Sequence, residues 1–98
     1  MPYQVRYSTR AYNEYENILD YVVEKFGSNT AAKVDMHFEE VIDQISINLL
    51  LYPYSDKLKN LRRCVISPQT TLYYRFNGKF IELASFRGNR MNPKDLGL

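Results

Sequence analysis

Near residue 53 the spacing of apolar residues changes from three and four to two, and that change dictates the fold class. Before it, Ala11, Tyr15, Ile18, Leu19, Val22, Val23 and Phe26 recur at helical intervals, with Glu14, Glu16, Asp20 and Glu24 on the remaining faces. Gly27 is a natural stop, because it enters the left-handed region without a Cβ clash. Ser28 or Asn29 opens a second helix, whose apolar side is Ala32, Val34, Phe38, Val41, Ile42, Ile45 and Leu49; Pro53 marks its end. So short a link makes the two helices antiparallel neighbours, an αα-hairpin.

After a polar loop at residues 53–60, strand alternation takes over. Residues 61–67 and 70–76 read as strands around the turn Ser67–Thr70, and residues 79–87 read as the last strand. Asn77-Gly78 is the strongest hairpin signal, since both residues tolerate positive φ in a type I′ turn. Ahead of the helices, residues 2–7 alternate as a first strand with Tyr3, Val5 and Tyr7 on one side, and Ser8 or Thr9 caps the first helix. The order is β-α-α-β-β-β. This predicts an α+β fold with an N-terminal helical hairpin packed on one face of a small antiparallel sheet, leaving the other face open.

The 98 residues suffice for one domain, here 1–98, and 45% hydrophobic with 14% aromatic content favours a folded globule. Charge is divided along the chain: residues 1–56 carry a net −5 and residues 57–98 a net +7, which together give the overall +2. The basic half can attract nucleic acid, an acidic partner or the molecule's own acidic half. Cys64 is the sole cysteine, which excludes an intrachain disulfide and fits a reducing compartment. The longest apolar run, Leu49–Tyr52, is far short of the ~20 residues of a membrane span. A soluble, cytoplasmic protein without cofactor or metal is expected, since no ligand spacing, phosphate-cradling loop or nucleophile motif is present.

Alternation sends Leu72, Tyr74 and Phe76 toward the helices and Tyr73 and Arg75 to the open face. Cys64 and Ile66 likewise point inward, while Arg63 and Val65 point outward. Arg87 and Arg90 lie at and just beyond the last strand. Arg63, Arg75, Arg87 and Arg90 are therefore expected to converge around Tyr73. Guanidinium groups hold phosphate or carboxylate through paired donors, and a tyrosine ring can stack on a base. The plainer alternative is that these arginines keep an exposed sheet face soluble.

Ser8 with Ala11, Leu19–Gly27, the second helix running toward Tyr52-Pro53, Leu61-Arg62-Arg63, Tyr73-Tyr74-Arg75 with Asn77-Gly78, Ile81-Glu82-Leu83, and Arg90–Pro93 follow in an order and spacing that resembles the RelE/ParE superfamily of toxins from bacterial type II toxin–antitoxin modules. The resemblance covers nearly the whole chain. It implies the same fold and one of two activities. RelE-like members cut messenger RNA on the ribosome, whereas ParE-like members poison DNA gyrase. It also implies a cognate antitoxin encoded adjacently, and leaves a homodimer open.

RNA cleavage by a 2′-hydroxyl needs a base, an acid and cations. The cations are present. Where RelE-like nucleases tend to carry Arg before a Leu-x-Tyr, this chain has Thr71, and its last residues hold neither Tyr nor His. His37 is read as a surface helical residue, and Glu82 with Arg75 as a cross-strand salt bridge. The reading is therefore ParE-like, with a RelE-like endoribonuclease or a non-toxic antitoxin-binding remnant as alternatives. Tyr12, Tyr15 and Tyr21 are expected to line a groove for the antitoxin, whose segment should be acidic and apolar.

Overall fold

The serine that closes the first strand does three jobs. Ser8 Oγ accepts from Ala11 N at 2.9 Å and so caps the first helix, and it donates to Ala84 O at 2.9 Å. Its own amide donates to Leu83 O at 2.9 Å. One residue thus anchors strand β1 (Val5–Tyr7) and helix α1 (Thr9–Phe26) to strand β4 (Ile81–Gly88). The computed structural model describes residues 2–88. Helix α2 (Ser28–Ile47), β2 (Arg62–Ser67) and β3 (Thr70–Phe76) complete the order β1-α1-α2-β2-β3-β4.

The helices are joined by Gly27 alone, at φ 92° and ψ 166°. That is a conformation essentially confined to glycine, and it reverses the chain within one residue. Helix α2 ends at Ile47 rather than near Pro53. Asn48 turns out of the helix, its Oδ1 accepts from Leu50 N at 3.2 Å, and the buried Tyr74 hydroxyl donates to Leu49 O at 2.9 Å. The tyrosine satisfies a carbonyl that a further helical turn would have engaged.

The sheet order is β1-β4-β3-β2. β2, β3 and β4 form the expected antiparallel meander, but β1 lies parallel to β4, pairing Val5 with Ile81, Arg6 with Glu82 and Tyr7 with Leu83. The sheet is therefore mixed, not wholly antiparallel. On the other side, residues of the polar loop return along the edge of β2. Arg63 N donates to Pro53 O, Ser55 N donates to Leu61 O, and Tyr54 forms a bridge with Arg62. This shields much of an edge that would otherwise offer free backbone groups.

The β3–β4 turn differs from the type I′ expectation. Gly78 takes φ 95°, whereas Asn77 keeps a negative φ. Asn77 Oδ1 instead accepts from Lys79 N and Phe80 N at 2.9 and 3.0 Å, and Asn77 N pairs with Phe80 O. Gly78 thus occupies the first central position, the type II′ preference.

Both helices press on the inward face. Ala11, Tyr15, Phe38, Val41, Ile42 and Ile45 meet Cys64, Ile66, Leu72, Tyr74, Ile81, Leu83 and Phe86 in one core. Tyr15, Phe38 and Phe86 form an aromatic cluster with centroids 5.3–6.0 Å apart. Each large apolar side chain buried here contributes about 1.5–3 kcal/mol of transfer free energy. Burial pushes the Cys64 thiol up in pKa, which suits packing rather than reactivity.

Candidate functional site

Strand register places three rows of side chains on the face away from the helices. Arg63, Tyr73 and Ser85 form one row, and Val65, Thr71 and Arg87 a second. Arg75, Glu82 and Arg6 form the third. These rows hold four arginines against one carboxylate. Arg63, Arg75 and Arg87 share this face with Tyr73, which is half-buried. Arg87 Cζ lies 5.8 Å from the Tyr73 ring centroid, within reach of a cation–π contact. Arg90 lies outside the described residues.

The arginines of the sheet differ in what holds them. Arg75 Nε lies 2.9 Å from Glu82 Oε1, so its charge is already partly answered. Arg6 stacks on Phe80, its Cζ 4.4 Å from the ring centroid. Arg62, on the core side, escapes to the strand end, where Nη1 donates to Tyr52 O at 2.7 Å and Cζ lies 4.1 Å over Tyr54. Arg63 is exposed and opens onto a notch of about 530 Å³, walled by Tyr73 and by Tyr54, Asp56 and Lys57 of the loop. Arg6 joins the site through the parallel β1–β4 pairing and Lys57 through the returning loop, neither of which local spacing indicates. Period-two spacing put Arg6 opposite Val5 and Tyr7, but not beside Glu82.

The tyrosines expected to form one groove do not. Tyr15 is only 6% exposed and donates its hydroxyl to Asp35 Oδ1, so it belongs to the core. Burial and that carboxylate push its pKa upward. Tyr7 likewise donates to Glu39 at 3.1 Å and is shifted upward by burial and the same acidic pair. Tyr12 and Tyr21 are both exposed, but they are nine positions apart, about two and a half helical turns, and so leave opposite sides of α1.

A groove does exist, one flank over. It measures about 780 Å³ and is lined by Ile18, Tyr21 and Phe26 of α1, Val34 and Phe38 of α2, and Phe86 of β4. Lys33 and His37 stand on its rim as polar groups. His37 is exposed, as expected, with Nε2 2.7 Å from Ile66 O. Tyr21 and the 64%-exposed Phe26 are the exposed large apolar side chains of this groove.

No protein-family model matches the chain, and no curated protein matches it. Solved structures do. A chain of the chromosomal ParDE TA system from P. aeruginosa superposes with TM-score 0.78 at 15% identity, covering 90% of this chain and 97% of that one. The fold is RelE/ParE-like. A chain of the E. coli DinJ-YafQ toxin-antitoxin complex matches with TM-score 0.56 at 14% identity, covering 90% and 93%. At these identities the shared property is the RelE/ParE-like fold. Among the described residues, no helix is long and apolar enough to cross a membrane.

Proposed function

We propose that this chain is the toxin of a type II toxin–antitoxin module and acts by binding its target, ParE-like, with DNA gyrase as the expected target. The observation that carries the reading is the chemistry of the open sheet face. Arg63 and Arg87 flank Tyr73, and among the described residues neither is in ion-pair contact with a carboxylate, although Asp56 shares the notch with Arg63. Glu82 is held by Arg75. Glu14 is held by Arg10, Ser85 and the Phe86 amide. A cleavage site would need a general base and acid within reach of the scissile phosphate, and His37, the one histidine of the chain, stands on α2 in the groove beside the helices, its Nε2 bonded to Ile66 O. A cationic, aromatic face suits recognition of an anionic surface.

The antitoxin expectation is supported by the two similar solved structures, a ParDE TA system and a DinJ-YafQ toxin-antitoxin complex. Its seat on this chain is the groove between α1, α2 and β4. An amphipathic segment would lay its apolar side against Phe26 and Phe86 and set acidic residues against Lys33.

Induced expression in a bacterial host tests the reading. DNA-damage signalling with filamentation is the expected response. Prompt translation arrest with cleaved messages would establish the RelE-like alternative instead, and undisturbed growth the non-toxic remnant.

A further inference from the structure

β4 has a neighbour on only part of its outer edge. β1 pairs with it as far as Leu83, and Ser8 Oγ serves the next carbonyl, that of Ala84. Beyond that point no strand continues among the described residues. A side chain takes the place of one. Glu14, on the first turns of α1, accepts from the Phe86 amide at 3.0 Å and from Ser85 Oγ at 2.8 Å, both through Oε1. Its other oxygen receives Arg10 Nε at 3.2 Å. Charge-assisted bonds of this kind are roughly twice as strong as neutral ones.

Ser85 is 3% exposed, yet its register with Tyr73 places it in the open-face row. It forms the floor on which Arg87 rests: Arg87 Nε donates to Ser85 Oγ at 3.4 Å while Cζ lies over the Tyr73 ring. A hydroxyl has one proton. Because Glu14 takes it, the oxygen lone pairs of Ser85 are left for the guanidinium. The carboxylate therefore orders the serine, and the serine orders the arginine.

We propose that Glu14 and Ser85 are positioning residues of the open face, which hold the Arg87 guanidinium over Tyr73 in the orientation that meets the target. The role goes beyond the composition of the face and rests on the binding reading given above. Neither residue touches the target. Loss of either leaves the charge of Arg87 in place but frees its direction, so affinity falls without loss of net attraction.

Two readouts separate this claim from the functional reading. The first is the Arg87 Nε–Hε resonance in the ¹H–¹⁵N spectrum of the free full-length protein, assigned by its disappearance in Arg87→Lys. It should shift and exchange faster in Ser85→Ala and in Glu14→Ala, and return toward wild type in Ser85→Thr, which restores the hydroxyl. The second is the dose of inducer needed for growth arrest. Ser85→Ala should raise it by about fivefold, the scale of one hydrogen bond, and should add nothing in an Arg87→Ala background. Ser85→Ala keeps the test available if Glu14→Ala does not fold. An unchanged Arg87 resonance in Ser85→Ala overturns the positioning role. A shifted resonance with no growth arrest by the wild type overturns the toxin reading and leaves the positioning intact.

Discussion

Arg75 and Glu82 stand directly opposite each other on β3 and β4, with Nε 2.9 Å from Oε1. The pair divides the open face. On its side lie Arg6 and the Phe80 ring. On the other lie Arg63, Tyr73 and Arg87, where no carboxylate is in ion-pair contact with the two cations among the described residues. Among the described residues, Arg63 and Arg87 thus keep charges that no ion pair answers.

The Arg75–Glu82 pair should matter little to stability. Its side chains are 52% and 27% exposed, so water screens much of the attraction. A double-mutant cycle of Arg75→Ala and Glu82→Ala, measured by urea denaturation, should return a coupling of about 0.2–1 kcal/mol. A larger value would mean that the face is far drier than its exposure indicates.

Gly27→Ala should be costly for conformational reasons alone. No atom lies within 4 Å of a Cβ built there, so crowding is not the cause. The cost comes from φ 92° with ψ 166°, and about 1–3 kcal/mol is expected. Chemical denaturation reads it directly, and a neutral result would show that the one-residue link can adopt another geometry.

Stability should decline in strong alkali. Burial pushes the Tyr74 hydroxyl from its ordinary value of 10.0 up to about 12. The folded state thus holds this proton more tightly than the unfolded state. The contribution is complete below pH 10 and is lost as pH rises from there through about 12. Tyr7 and Tyr15 are shifted in the same direction and add to the loss. Unfolding midpoints across this range should fall, and Tyr74→Phe should flatten part of the slope.

Phe26→Ser should separate antitoxin binding from stability. The ring is 64% exposed, so the melting temperature should scarcely move, as for surface changes of within about 0.5 kcal/mol. Capture of the protein encoded beside this one should weaken. Equal capture would place the antitoxin elsewhere.

Much of this architecture is written in local spacing. Gly27 divides two helical stripes, and the alternation of Cys64, Ile66, Leu72 and Tyr74 against Arg63, Tyr73 and Arg75 sorts the two faces of the sheet. What local spacing does not hold is the pairing of distant segments. β1 joins β4 across the whole chain, and only that parallel pairing brings Arg6 beside Glu82. The end of α2 was hidden for a similar reason: the group that occupies the Leu49 carbonyl is Tyr74, 25 residues later. Tyr15 shows another limit. A tyrosine on an amphipathic stripe suits a core or a groove equally, and a partner for its hydroxyl on the next helix decides the matter. The separation of Tyr12 from Tyr21 needed no structure, since nine positions along a helix already set them on opposite sides.

The most direct test of the account is inhibition of DNA gyrase supercoiling by the purified protein, compared with Arg63→Ala/Arg87→Ala. Both arginines are exposed, so the variant should fold normally. The account predicts that the wild-type protein blocks supercoiling and that the variant needs at least about tenfold more, roughly the effect of losing two exposed charge-assisted contacts. Supercoiling untouched by the wild-type protein, or blocked equally by both, would contradict it.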